Sequence, residues 1–327
     1  MGRRPMDQKK NLDVIIPLFR PDKKFDKLLI QLLKQTIKPK NIWLLNTEVL
    51  PDYATETIKQ RVDELLSHKK IVGSESVNIH IISIDQREFD HGGTRAYGAS
   101  LSDSEYMVFM TQDAIPKDEH LLENLVEPFR MEEVAISYGR QEASQNATLV
   151  EKYTRIFNYP STDQLKSKED LDRLGIKTYF SSNVCAAYRK SVYEDLGGFV
   201  ARTIFNEDMI YAAGVIKTGY KIYYASKATV IHSHHYTLMQ QLRRNFDLGV
   251  SQEEYQSIFK NISSEKEGTK FVKQTVSYLK DQRKYIELVD FILESGFKYL
   301  GYLLGKKHRL LPQPFKIWLS MNKSYWR

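Results

Sequence analysis

Apolar positions along residues 12–110 recur on two different periods. Leu12-Asp13-Val14-Ile15-Ile16-Pro17 is a nearly continuous apolar run, which predicts a buried strand closed by a proline that cannot donate to a ladder. Phe25, Leu28, Leu29, Leu32 and Leu33 then repeat at helical spacing through residues 25–36, with Asp22 placed to cap the N-terminus. Ile42-Trp43-Leu44-Leu45 predicts a second strand that delivers Asn46-Thr47-Glu48, and residues 53–66 read as a helix. A third strand follows at residues 78–84, a helix at 92–101, and a fourth strand at Tyr106-Met107-Val108-Phe109-Met110. Strands and helices in alternation imply right-handed βαβ units, an α/β chain with a mostly parallel sheet flanked by helices.

The pattern loosens afterwards. Residues 120–130 predict a helix and 134–138 a strand, whereas 158–177 are polar and weakly periodic and read as a mobile loop or insertion. A short helix at 191–196 is stopped by Gly197-Gly198, and Asn206 is placed to cap a helix running to Lys217. Residues 221–225 and 228–231 read as two strands leading into His232-Ser233-His234-His235. From Thr237 the period is helical, and residues 286–304 place Val289, Ile292, Leu293, Gly296, Tyr299, Leu300 and Leu303 on one face. The expected division is a domain over 1–240 and a helical, basic, amphipathic region over 241–327.

Candidate chemistry sits where these elements end. Phe89-Asp90-His91-Gly92-Gly93-Thr94-Arg95 combines a glycine pair at a helix start with an arginine fork suited to phosphate. The fourth strand ends directly in Thr111-Gln112-Asp113-Ala114, and an open α/β sheet places ligands at such carboxyl ends. Each piece alone also fits a turn, a surface arginine and a capping acid. Glu207-Asp208 in a first helical turn would be kept ionised by the helix dipole; the pair suits either a favoured helix start or a general base. His232 and His234 share a face if extended, which fits two metal ligands or a hydrogen-bonded cluster. A single Asp with histidines and phosphate oxygens suits Mg²⁺ or Mn²⁺, and no Cys/His spacing suits structural zinc. Arg243-Arg244 is an exposed basic helix face or a diphosphate clamp.

Composition narrows the class. Hydrophobic and charged contents of 42% and 27% over 327 residues describe an ordinary globular chain, and the lone Cys185 excludes an internal disulfide, as suits a reducing cytoplasm. Met1–Lys10 is basic, but the apolar run after it is too short and too proline-interrupted for a signal peptide. No run approaches the ~20 apolar residues of a spanning helix. The net charge of +7 is local: residues 297–327 hold seven of the 48 Lys and Arg and no acid, which leaves the rest with 41 of each sign. A neutral body argues against a nucleic-acid-binding module. The basic, aromatic-rich end reads either as a subdomain packed on the core or on another subunit, or as a peripheral anchor on an anionic membrane.

In order and spacing, Val14-Ile15-Ile16-Pro17, the Phe89–Arg95 segment, Thr111-Gln112-Asp113-Ala114, Gly197-Gly198-Phe199, Glu207-Asp208, the His232/His234 segment and the Gln-Arg-Arg run resemble the inverting, GT-A-fold family 2 glycosyltransferases. The likeness, which covers residues 12–246, is nearest to bacterial rhamnosyltransferases that use dTDP-L-rhamnose in cell-wall, capsular or O-antigen polysaccharide synthesis. It implies a nucleotide-sugar half over 11–115 and an acceptor half over 116–240. Asp113 would be the last carboxylate of the family's Asp-x-Asp metal motif, with His234 or His232 completing the site for Mg²⁺ or Mn²⁺. Asp208 would be the catalytic base and Glu207 would orient substrate. Pro17, Asn46, Glu48, Asp90, Arg95 and Gln112 would lie around the nucleotide, and Arg243 and Arg244 near its diphosphate. Thr111 replaces the motif's first Asp, and Asn46-Thr47-Glu48 replaces an acidic pair. The implied partners are a dTDP-sugar donor, a lipid-linked saccharide acceptor and the inner face of a cell membrane, with a homodimer possible. The rival donor is a UDP-hexose or UDP-N-acetylhexosamine.

Overall fold

β1 (Leu12–Leu18) is buried along almost its whole length and is the hub from which the sheet extends. In the computed structural model, which describes residues 11–48, 50–68, 76–234, 236–260 and 264–326, β1 pairs in parallel with β2 (Asn41–Asn46) on one side and with β4 (Tyr106–Met110) on the other. β3 (Asn78–Ser83) extends the parallel run beyond β2. Helices Lys23–Leu33, Thr55–His68 and His91–Leu101 are the connections, so strands buried on both faces read as unbroken apolar runs rather than alternating ones. Asp22 caps the first helix by accepting from Lys24 N. Pro17 does not end β1: it pairs in register with Leu45, and the strand continues to Leu18.

The second half of the sheet is mixed. Short β5 (Ile115–Pro116) is followed by β6 (Val134–Glu142), β7 (Gln164–Lys166), β8 (Cys185–Arg189) and β9 (Lys221–Ile231). The strand order is β3-β2-β1-β4-β8-β6-β9-β5, with β7 also on β9. β8 runs against both β4 and β6, while β6 and β9 are parallel. This topology brings the carboxyl ends of β1, β2, β4, β6 and β9 and the amino end of β8 to one edge, the ligand edge of an open α/β sheet. The two strands expected over 221–231 are one, broken in register opposite Gly139/Arg140 by a bulge. Any side chain at Gly139 would collide with Ala228 O there.

Residues 158–177 are structured, contrary to the expected loop: β7, a helix at Leu171–Leu174 and flanking 3₁₀ turns occupy them. Polar anchors and a few scattered apolar ones (Tyr159, Leu171 and Ile176), rather than one continuous apolar face, hold them, which is why the segment lacks periodicity. Lys166 is buried, with Nζ donating to Tyr138 OH at 3.2 Å and to the carbonyls of Lys177 and Phe180. Asp163 accepts from Ser226 N and Oγ and from Tyr223 OH.

The C-terminal region is built on helix Leu238–Glu254, capped by a Thr237/Gln240 box, against which helix Tyr285–Lys306 packs. Contact is through glycines: side chains at Gly301 and Gly305 would run into Leu242 O and Phe246 O. The apolar face read from sequence is turned the other way. Val289, Ile292, Leu293, Tyr299 and Leu300 are 49–58% exposed. Among the described residues no helix is long and apolar enough to cross a membrane.

Candidate active site

Asp113 lies in the turn after β4, and β5 immediately beyond it pairs Ile115 with Ile231, which sets His232 and His234 beside the carboxylate. His232 Nε2 faces Asp113 Oδ1 at 3.5 Å and His234 Nδ1 faces Asp113 Oδ2 at 3.6 Å, both too long for good hydrogen bonds. One ligand atom from each residue falls within 4.8 Å of the others. His235, the fourth residue of that cluster, lies outside the described residues, as do Met1–Lys10 and Arg327.

The donor set fits a divalent cation. Arg155 Nη1 donates at 2.6 Å to Gln141 Oε1, and because arginine is always a donor this fixes the orientation of the Gln141 amide. Gln141 Nε2 in turn donates to Tyr159 OH and Ser182 Oγ. His232 Nδ1 lies 2.9 Å from Gln141 Oε1 and 3.4 Å from Arg155 Nη2. The shorter contact favours a proton on Nδ1, which turns the lone pair of the buried Nε2, without a hydrogen-bond partner among the described residues, toward Asp113. Burial first, then His232, pushes His234 down to about 4, and burial also lowers His232; both rings are neutral at neutral pH. Burial alone would raise Asp113, but the histidines beside it and the Thr111 hydroxyl outweigh it and hold the carboxyl far below its usual range. Lys24 reaches the same cluster, its Nζ donating to Ser233 O at 3.2 Å.

Glu207 and Asp208 open helix Glu207–Lys217 as expected, yet their surroundings set them apart. Asn206 occupies the cap position in the left-handed region (φ 64°) and makes no side-chain cap; its amide goes instead to Ser251 Oγ. Glu207 Oε1 takes Arg95 Nη1 at 3.0 Å and Asn183 Nδ2 at 3.1 Å, all three residues being buried. Burial alone would raise Glu207, but Arg95, His91, the Asn183 amide and its own backbone N–H together outweigh it and hold the carboxyl low and ionised. Among the described residues the Asp208 carboxyl accepts only from backbone N–H groups, those of Asn183 at 3.2 Å and Met209 at 2.8 Å. Enclosure, and then the Glu207 charge, push it up to about 7. The dipole argument fails for Asp208, since desolvation and a like charge outweigh a helix start. Two adjacent carboxyls thus have opposite states near neutrality, one fixed as an anion and one ready to exchange a proton.

The loop before β8, which sequence periodicity did not single out, ties both groups together. Asn183 serves Asp208 with its backbone and Glu207 with its side chain, Tyr188 OH fixes its carbonyl at 2.8 Å, and Ser182 Oγ takes Gln141. Val184 O accepts from Thr111 N, at the start of the Asp113 turn.

The residues expected around a nucleotide are placed less uniformly. Gln112 bonds the backbone of Phe19 in both directions and fastens the end of β1 to the Asp113 turn. Glu48 is buried and takes Arg20 Nε and Leu50 N. Asn46 Nδ2 is spent on Glu48 O, Tyr53 O and Thr55 Oγ1. Asp90 caps helix His91–Leu101 through Gly93 N, so its own carboxylate fills the expected anion site. Arg95 is buried on Glu207 and His91 O rather than held out as a fork. Arg244 is exposed over Phe205, and its charge acts on His91 and His234; Arg243 lies over Trp318 in the C-terminal region.

Comparison with known proteins names this arrangement. The profile of Glycosyl transferase family 2 matches residues 13–197. The O-antigen chain rhamnosyltransferase RfbN of Salmonella typhimurium is 36% identical over 317 residues, covering 96% of both chains. The O-antigen chain rhamnosyltransferase WbaN of Salmonella anatum is 42% identical over 249 residues, 76% of this chain and 79% of that one. Among solved structures, the mannosyltransferase PcManGT of Pyrobaculum calidifontis in complex with GDP-Man and Mn²⁺ superposes with a TM-score of 0.56 at 12% identity, covering 99% of this chain and 88% of that one. TarS (residues 1–349) of S. aureus does so with 0.56 at 14% identity, covering 95% and 83%. Those remote likenesses show the GT-A fold: a curled α/β sheet flanked by helices. With the profile spanning more than half of the chain and two relatives above 30% identity, this chain belongs to glycosyl transferase family 2 and is a glycosyltransferase.

Proposed function

We propose that this enzyme transfers L-rhamnose from dTDP-β-L-rhamnose to a lipid-linked saccharide, with inversion, in O-antigen or a related surface polysaccharide. The observation that carries the reading is the pairing, at one sheet edge, of the Asp113/His232/His234 cluster with the Glu207/Asp208 pair. The two rhamnosyltransferase relatives support the sugar. Asp113, His232 and His234 would hold Mg²⁺ or Mn²⁺, which when bound neutralises charge on a departing nucleoside diphosphate. Arg244 adds an exposed positive charge on the same side, with Arg243 one residue away. Pro17, Asn46, Glu48, Asp90 and Gln112 shape the donor wall at the ends of β1, β2 and the helix at residue 91. Asp208 takes the proton of the acceptor hydroxyl as its oxygen attacks the anomeric carbon from the face opposite the leaving group. Glu207, fixed by Arg95 and Asn183, holds substrate hydroxyls and keeps Asp208 basic enough to accept that proton.

The C-terminal region supplies the attachment. The open face of helix Tyr285–Lys306 is followed by basic residues with no acid after Glu294, a complement to an anionic bilayer on the cytoplasmic side. A second copy of the chain on that face is the competing occupant.

A panel of dTDP-, UDP- and GDP-sugars, scored for nucleotide release with and without EDTA, tests the donor. dTDP-rhamnose should be turned over fastest and only with a divalent cation. Preference for a UDP-hexose or UDP-N-acetylhexosamine would transfer the reading to that donor class.

A further inference from the structure

A cleft of about 450 Å³ opens beside the Asp113/His232/His234 cluster, and its Arg140 and Lys152 have no role in the chemistry assigned above. Arg140 and Gln141 at the end of β6 form one wall, and Lys152, Arg155 and Ile156 of helix Leu149–Asn158 the other, with Tyr159 at the helix end. The bulge between Gly139 and Arg140 falls immediately before this wall. Three cations line it against one acid, Glu142, and that acid is already bonded by Lys117 at 2.7 Å. Arg140 Nε pairs with Glu142 Oε1 only at 3.8 Å, too long for a hydrogen bond. Arg155, whose Nη atoms serve Gln141 and His232, keeps a buried Nε–H without a hydrogen-bond partner among the described residues. Lys152 Nζ spends one of its three donors on Gln145 O at 2.7 Å. Cations held close together with unspent donors recognise phosphate oxygens.

Its position relates it to the acceptor. Gln141 and Tyr159 are shared with the His232 network, so the inner end of the cleft adjoins the metal-type cluster. Helix Leu149–Asn158 turns Ile156, 63% exposed, outward, and packs Tyr153 and Phe157 on Tyr278 and Phe271, the latter in contact with Phe291 of helix Tyr285–Lys306. Helices Leu149–Asn158 and Ser264–Asp281 therefore link the cationic cleft to the helix whose open face is proposed to meet lipid.

We propose that the cleft is a phosphate-recognition subsite for the acceptor, in which Arg140 and Lys152 hold the phosphate that joins saccharide to lipid. It rests on the reading above that the acceptor is lipid-linked. A pocket of this size holds a phosphate group and an adjoining sugar, leaving the sugar's far hydroxyl to reach the cluster. Free inorganic phosphate or pyrophosphate offers the same chemistry, and the experiment separates the two sources.

The first arm titrates inorganic pyrophosphate in EDTA, which needs no donor and stands whatever sugar is transferred. The wild type and Asp113→Asn should bind alike, and Arg140→Gln/Lys152→Gln should bind about tenfold or more weakly. Absence of wild-type binding, or binding lost with Asp113→Asn and kept in the double variant, overturns the site. The second arm compares one saccharide carried on a lipid diphosphate and on a neutral alkyl group. The double variant should raise KM about tenfold for the first, with kcat and the KM for the neutral acceptor unchanged. Lys152→Glu alone, at an exposed helix position, should give the same selectivity if the double variant melts early. An equal change for both acceptors, or none, overturns the acceptor role and leaves free phosphate as the only ligand. Acceptor-independent nucleotide release, followed in parallel, reports separately on the donor reading.

Discussion

Asp208 is the residue on which the chemistry turns, and its environment makes its behaviour measurable. Because enclosure and Glu207 push its carboxyl up to about 7, transfer should increase as pH rises through 7 and the base loses its proton. Asp208→Asn should cut kcat by about 10²–10⁴-fold with nucleotide affinity retained; normal turnover in that variant would exclude the base. The sign for stability is opposite. The folded state holds this proton more tightly than the unfolded chain, so the associated stability is present below the ordinary value of 3.8 and is lost as pH rises toward about 7. Asp208→Asn should therefore melt higher than wild type above pH 7, with the gap closing near pH 4. The acidic pair itself was legible in the sequence, because two acids at a helix start are a local signal. Their divergence was not, since it depends on Asn183 and Arg95, which are 24 and 112 residues from Glu207 in sequence and adjacent to it only after folding. Asn183 gave no periodic or spacing signal, and only the antiparallel seat of β8 beside β4 brings it to the site.

At the scale of elements, the parallel half of the sheet followed from its apolar runs, since strands covered on both faces leave an unmistakable pattern. The segment over 158–177 did not, because a buried lysine, an aspartate and three widely spaced apolar residues hold it rather than a stripe of leucines. The helix over residues 285–306 shows the limit of periodicity from the other side. Its most apolar face points to solvent, and the face that packs carries glycines, which contribute little to any hydrophobic pattern. Gly301→Leu should force the helix away from Leu242 and destabilise the protein by about 1–3 kcal/mol, read by denaturant unfolding. Gly296→Ala, where a new Cβ meets nothing, should be neutral or slightly stabilising. Equal losses from the two changes would mean that the two helices do not pack through their glycines.

For the whole molecule, the sheet edge is proposed to take the donor, the cationic cleft the acceptor phosphate and the open helix face lipid. Basic residues near an anionic surface contribute about 1 kcal/mol each, so flotation with anionic vesicles should be clear at low salt and weaken as salt rises. Val289→Glu/Leu293→Glu, changing two exposed side chains, should abolish flotation without altering the melt. Concentration-dependent dimerisation without vesicle binding would assign the face to a second copy instead. The central claim is inverting rhamnosyl transfer by Asp208, and the stereochemistry of the product tests it most directly. With dTDP-β-L-rhamnose and a divalent cation, NMR of the product should show an α-L-rhamnosyl linkage from the wild type and product formed about 10²–10⁴-fold more slowly by Asp208→Asn. A β-linked product, or an α-linked product formed at full rate by Asp208→Asn, would contradict it.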